Sequence, residues 1–125
     1  MIDFKNGSVF KLKKVDDAKF NDEITPLLTT GEVILGCYQD VRDHVVFTDK
    51  RIISVNVQGV TGKKKDFTTL PYSKISIYSI ETSGTFDLDS ELELYYSGVG
   101  RVTFEFRGSS DIIRIGQIIA QYALR

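Results

Sequence analysis

The chain is poor in the residues that most often carry chemistry. It has one cysteine and one histidine in 125 residues. A single thiol, Cys37, can close no intrachain disulfide and build no cysteine-rich zinc site. His44 has no second histidine to work with, and Arg42 and Asp43 beside it do not supply the nucleophile that a general base would need. Neither G-x-x-x-x-G-K-[ST] nor G-x-G-x-x-G occurs, so both common phosphate-cradling loops are missing. No stretch approaches the ~20 apolar residues of a spanning helix. Met1 to Lys14 hold no uninterrupted apolar run of signal-peptide length. With the lone thiol, this predicts a cytoplasmic, reducing home. Sixteen Lys and Arg against seventeen Asp and Glu leave a net charge of −1. Nothing global then draws the chain to nucleic acid or acidic lipid, and any electrostatic function must come from a local patch. The expectation is no catalytic residue, no cofactor and no metal.

What is present suits one domain spanning residues 1–125. Hydrophobic residues make up 42%, enough for one core, and 26% charge keeps the surface wet. Residues 1–30 read as an N-terminal helical extension of two short pieces. Val9, Phe10, Leu12 and Val15 are apolar among lysines in the first. Asp16 or Asp17 caps a second piece carrying Ala18, Phe20 and Ile24, which Pro26 ends or bends.

From Glu32 the period changes to two. Strands are predicted around Val33–Tyr38, His44–Phe47, Ile52–Val57, Asp66–Leu70 and Ile75–Glu81. Thr48 to Arg51 form a turn in which the Asp49 side chain accepts backbone N–H groups. The clearest alternation runs from Phe86 to Tyr96. Phe86, Leu88, Leu92, Leu94 and Tyr96 share one face with Ser90, and Asp87, Asp89, Glu91 and Glu93 share the other. Ser97 to Gly100 make a hairpin loop, and Val102, Phe104 and Phe106 continue the apolar face. Arg101 or Arg107 is placed to relieve the acidic row.

Residues 109–125 form the closing helix, with Ser109 or Ser110 as N-cap and Asp111 in the first turn. Ile112, Ile115, Gly116, Ile119, Tyr122 and Ala123 lie on one face. Gly116 is unfavourable in a helix by roughly 1 kcal/mol against Ala, which points to close approach of helix and sheet. Ile113, Ile118 and Leu124 lie outside the stripe and suggest a second partner. The tally is about seven strands and a closing helix, a mainly β fold.

Five strings in register carry a family resemblance. They are Arg42-Asp43 with Val46-Phe47-Thr48-Asp49-Lys50-Arg51-Ile52-Ile53, then Gln58-Gly59-Val60-Thr61-Gly62-Lys63-Lys64, then Pro71-Tyr72-Ser73-Lys74-Ile75. Glu81-Thr82-Ser83-Gly84-Thr85-Phe86-Asp87-Leu88-Asp89 and Glu91-Leu92 complete the set. Together they resemble the bacterial pleckstrin-homology-like domain family (bacterial PH domain). The resemblance implies a bent seven-stranded antiparallel sandwich or open barrel capped by a C-terminal α-helix. It also implies a tendency to form closed homo-oligomeric rings.

Two patches are candidate functional surfaces. Lys63, Lys64 and Lys65, with Lys50 and Arg51, form the best anion or acidic-partner patch, with Gly59 and Gly62 freeing backbone N–H groups nearby. Solvated loop charges are the ordinary reading of such a run. Asp40-Val41-Arg42-Asp43 occupies the hairpin that eukaryotic pleckstrin-homology domains make basic for phosphoinositides, so membrane lipid binding is not favoured. Arg42, Asp43, Ile113, Ile118 and Leu124 are the candidate oligomer interface. The leading expectation is a non-enzymatic module that assembles with itself into a ring and serves as scaffold or protein-interaction domain. The alternative is a module that binds an acidic headgroup or peptide through Lys63–Lys65.

Overall fold

The computed structural model describes residues 1, 8–108 and 111–124. In chain order the elements are β1 (Ser8–Val15), α1 (Asn21–Ile24), a 3-10 turn (Thr25–Leu27), β2 (Ile34–Gln39), β3 (His44–Thr48) and β4 (Arg51–Gln58). Then follow β5 (Lys64–Pro71), a second 3-10 turn (Tyr72–Lys74), β6 (Ile75–Glu81), β7 (Ser90–Tyr96), β8 (Gly100–Phe106) and α2 (Ile112–Ala123). Eight strands lie in the order β5-β4-β3-β2-β1-β8-β7-β6. The fold is therefore mainly β with a closing helix, and it holds one strand more than the sequence pattern suggests.

The extra strand is β1, which corrects the first of the two expected helical pieces. Lys11, Leu12 and Lys13 alternate out, in and out, and Leu12 is fully buried in the core. β1 pairs parallel with β8 through Ser8, Val9 and Leu12, then antiparallel with β2 through Lys13, Lys14 and Val15. The register shifts between Val9 and Leu12, and Lys11 takes φ 58°. A non-glycine residue in the left-handed region costs roughly 1–2 kcal/mol. Here that conformation carries one strand from the β6–β8 half of the sheet to the β2–β5 half.

The two halves enclose the main core. Tyr38, Phe47, Ile52 and Tyr72 meet Leu92, Leu94, Phe104 and Phe106, and α2 adds Ile112, Ile115, Ile118 and Ile119. Burial of each large side chain stabilises the fold by about 1.5–3 kcal/mol. Ile118 is 6% exposed in this core, which corrects its assignment to an oligomer surface. The apolar arc of α2 is simply wider than a narrow stripe. Gly116 faces Ile80, and a Cβ there would lie 3.0 Å from Ile80 Cδ1, the close approach expected of it. Asp111 is the N-cap, accepting the Arg114 N–H at 3.3 Å, while Ser109 and Ser110 lie outside the described residues.

A second, smaller core sits on the outer face of the β2–β4 half. Ile24, Cys37, Val46, Ile53 and Val55 pack there with Val15, Phe20, Leu28 and Ile34. The α1 segment covers that face, so β3 is buried along its whole length. Strands with two covered faces read as continuous apolar runs, as in Ile52-Ile53. Among the described residues, the outer face of β6–β8 has no such cover. Ile77 is 69% exposed and Tyr95 45% exposed there.

The strand expected from Phe86 begins only at Ser90. Phe86 and Leu88 are exposed in the connecting loop. The Asp87 carboxylate accepts the Asp89 N–H and the Asp87 carbonyl accepts the Gly84 N–H, closing a local turn that competes with strand extension.

Candidate functional site

Two surfaces hold the residues singled out in the sequence. The first is a polar cleft of about 670 Å³ between residues 19–23, the β2–β3 hairpin and β5. Asp40 shapes the hairpin by accepting the N–H groups of Arg42 and Asp43 at 2.9 and 2.7 Å. Asp43 then accepts the Val57 N–H and the Asn56 amide, and Arg42 donates to the Gly59 carbonyl at 2.7 Å. Both members of this pair are engaged within the chain, tying the first hairpin to the β4–β5 loop.

His44 lines the same cleft. Its ring stacks on Phe20 at a centroid distance of 3.7 Å and meets the Glu23 carboxylate, which also accepts from Lys65 at 2.5 Å. Burial lowers the His44 pKa, outweighing the upward pull of Glu23. Cys37 is fully buried, and desolvation, with Asp17 nearby, pushes its thiol up to about 11. A thiol so raised is a poor nucleophile at neutral pH. Among the described residues, no group of three or more His, Cys, Asp or Glu gathers to hold a metal ion.

The basic patch is spread out. Arg51 donates to both Glu32 oxygens, to Thr69 and to the Leu27 carbonyl, so its charge is committed. Lys65 is held by Glu23, and Lys63 and Lys64 stand exposed in solvent. Lys50 lines a different cleft, beside Asp49, Ser73 and Tyr122. The structure does not bring the five cations together.

The second surface is the open face of β6–β8. Glu91 lies directly opposite Glu81 on β6 and Glu105 on β8. Like charges placed opposite one another destabilise a sheet. Desolvation, then Glu93 and Glu81, raises the Glu91 pKa; desolvation and Asp89 raise that of Glu105. Arg101 relieves part of the row, reaching Glu93 at 3.3 Å. At the margin, β6 has a strand partner on one side only among the described residues, as does β5 at the other end of the sheet. Ile113 on α2 is 55% exposed, and Leu124, the residue that caps its C-terminus, is 67% exposed.

The family model described as Bacterial PH domain matches residues 3–123. This chain belongs to the bacterial PH domain family. Two Bacillus subtilis (strain 168) relatives are the uncharacterised proteins YjqA and YozO. YjqA is 40% identical over 119 residues, covering 94% of this chain and 95% of its own. YozO is 30% identical over 114 residues, covering 91% and 96%. Among solved structures, a DUF1696-family protein with a pleckstrin-homology domain from Shewanella loihica PV-4 superposes with a TM-score of 0.79. It is 35% identical, covering 94% of this chain and 99% of that one. A pleckstrin homology domain from Shewanella amazonensis SB2B gives a TM-score of 0.68 at 40% identity, covering 96% and 94%.

Three features of this bacterial PH domain escape the sequence reading. The buried Glu32–Arg51 pair spans 19 positions, and the Glu23–His44 contact spans 21. No local pattern announces either. The grouping of Lys11 and Lys13 with Arg107 depends on β1 being a strand. Alternation across Lys11-Leu12-Lys13 was the available signal.

Proposed function

We propose that this bacterial PH domain is a non-catalytic assembly module, working in the cytoplasm as a scaffold or protein-interaction domain and closing with copies of itself into a ring. The observation that carries this reading is the pair of one-sided strands. β5 and β6 end the sheet at opposite margins and have no second strand partner among the described residues. Unpaired edges are templates for pairing with another chain, and soluble proteins usually guard them with lysine or proline. β5 carries Lys64, Lys65 and Pro71, whereas β6, reading Ile-Ser-Ile-Tyr-Ser-Ile-Glu, has neither.

Joining β5 of one copy to β6 of the next is a heterologous contact, the type that closes into rings under cyclic symmetry. Antiparallel joining sets the lysine-bearing start of β5 against the Glu81 end of β6, where the unrelieved carboxylates lie. Opposite charges meeting across the joint favour it over β6–β6 pairing. Size-exclusion chromatography with light scattering tests the reading. A mass several times that of the chain is expected, and a strict monomer at micromolar concentration would sink it.

A further inference from the structure

The crossing from β1 to β2 lies over the outer face of β2–β4 and seals the smaller core with Phe20, Ile24 and Leu28. We propose that the leading part of this crossing, residues 16–26, is a proton-released strap, which opens as a unit on acidification while the sheet stays closed. The proposal is independent of ring formation.

The strap is fixed at its ends and lightly held between them. Val15 pairs with Cys37 in the β1–β2 ladder and fixes one end. Arg51 fixes the other, through the Leu27 carbonyl at 2.6 Å and the buried Glu32 carboxylate. Between these ties the backbone hydrogen bonds of the described residues are local. The Glu23 and Ile24 N–H groups donate to the Phe20 carbonyl, and the Leu28 N–H donates to the Thr25 carbonyl. No ladder joins residues 16–26 to β2, β3 or β4. A helix of four residues does not hold itself in water. Segments with few ties to the body open at lower free energy than the core.

What closes the middle is apolar contact and one polar latch. Phe20 stacks on the buried His44 ring. The Glu23 carboxylate meets that ring and accepts from Lys65 on β5 at 2.5 Å. Beside the latch, the Cys37 thiol donates to the Asp17 carbonyl of the strap at 3.4 Å.

The latch and the Arg51 tie answer differently to protons. Glu32 titrates only at about 2, so its bond to Arg51 persists through mild acid. His44 is the group that responds. Burial sets the pKa of the closed ring below 6.5, against the upward pull of Glu23 and Asp43 and with the downward push of Lys65. Lys19 and Asp22 of the strap, and Asp40 and Arg42 of the hairpin, line the same cleft. The ladder neighbours of His44, Gln39 and Val55, carry no charge. Lifting the strap returns the ring to water and its pKa towards the ordinary value. The open state then binds the proton more readily, so acid populates it below pH 6.5. Opening uncovers Cys37, Val46, Ile53 and Val55 and releases Lys65 from Glu23.

Cys37 is the single thiol, so its labelling reads the opening. The full chain is treated with dithiodipyridine from pH 8 to pH 5.5. Each rate is divided by that of a cysteine peptide at the same pH, which removes the intrinsic pH dependence of the thiol. The ratio should rise as pH falls, by less than about tenfold per pH unit, the limit for one proton. Low urea should leave it nearly unchanged, because a local opening exposes little surface. His44→Gln keeps a polar partner for Glu23 and does not titrate, so its ratio should be flat. Hydrogen exchange on the parent chain gives a reading that needs no variant. The amides of Glu23 and Ile24 should lose protection as pH falls, after correction for intrinsic exchange, while those of β7 and β8 keep theirs. A labelling ratio indifferent to pH, a rise equally present in folded His44→Gln, or loss of protection in β7 and β8 in step with the strap would overturn the proposal.

Discussion

Arg51 grips Glu32 with two hydrogen bonds, Nε to Oε2 at 3.0 Å and a terminal nitrogen to Oε1 at 3.1 Å. The Glu32 side chain is fully buried, and Thr48 Oγ1 donates to the same carboxylate at 2.6 Å. Burial alone would raise the Glu32 pKa, but the bonds from Arg51, Thr48 and the Thr29 N–H bring it down to about 2. Together with the bond from Arg51 to the Leu27 carbonyl, the pair ties the segment 27–32 that follows α1 to β4. Removing one partner of a buried ion pair leaves an uncompensated charge, at a cost of about 3–5 kcal/mol. Arg51→Ala should therefore unfold at much lower urea. The pH dependence has a definite sign. A carboxylate lowered from 4.5 to about 2 adds stability above pH 4.5 that is lost as pH falls through 2. Urea midpoints taken from pH 6 down to pH 2 should fall, and Glu32→Gln should flatten that decline while lowering stability at pH 6.

His44 supplies a second window, set apart from the carboxylates. It is the one histidine in the chain, and its pKa is lowered from 6.5 by burial beneath Phe20. The folded state prefers the neutral ring, so the unfolded chain binds the proton more readily. Stability is then full above pH 6.5 and declines as pH falls below it. Chemical denaturation at pH 8 and pH 5.5 should show the difference, and NMR of the ring carbons should report a titration midpoint below 6.5. A midpoint above 6.5 would mean that Glu23 dominates the ring's environment and burial does not.

How much of this was legible in the sequence depends on the range of the contact that decides each feature. Alternation from Leu92 to Phe106 gave β7 and β8 because a wet face and a dry face leave a period-two trace. The same trace misled at Phe86 and Leu88, where Asp87 and Gly84 close a turn and no neighbouring strand is in place. In β1 the trace is short, and a left-handed residue shifts its register, so lysines around Leu12 looked like a helical surface. Arg42 and Asp43 stand in the sequence as interface candidates, and their bonds to Gly59, Asn56 and Val57 join segments whose pairing leaves no local pattern. Arg51 joins the basic patch in the sequence because its partner Glu32 lies 19 positions away, where pairing leaves no local pattern. Ile118 shows the limit of a narrow helical stripe: strands and helix together bury a wider arc.

Gly116 and Ile80 give a test of helix–sheet packing that separates propensity from space. Alanine is favoured over glycine in a helix by about 1 kcal/mol. In the native chain the new methyl would sit 3.0 Å from Ile80 Cδ1, so much of that gain should vanish. Ile80→Val removes the Cδ1 atom. Gly116→Ala should therefore be more stabilising in the Ile80→Val background than alone, with a coupling of about 0.5–1 kcal/mol in a double-mutant cycle. Additive effects would show that the helix shifts freely and that its glycine has another cause.

The proposed ring makes different demands on two surfaces, and single charges can tell them apart. Ile77 lies on the unguarded edge strand, 69% exposed, with Tyr95 opposite it on β7. It touches no core cluster, so Ile77→Lys should change monomer stability by less than about 0.5 kcal/mol. A lysine there supplies the guard that β6 lacks and imposes a buried charge on any strand docking beside it. The variant should elute as a monomer at concentrations where the parent chain is assembled, and its urea midpoint should match that of the parent diluted to its monomer. Ile113→Lys with Leu124→Lys makes the same perturbation at the exposed residues of α2 and its C-cap, while Ile115 and Ile119 stay buried in the core. If the helix variant dissociates and the strand variant does not, the edge contact is wrong and the ring closes through α2. If neither variant changes the mass of an assembled parent, neither surface holds the copies together.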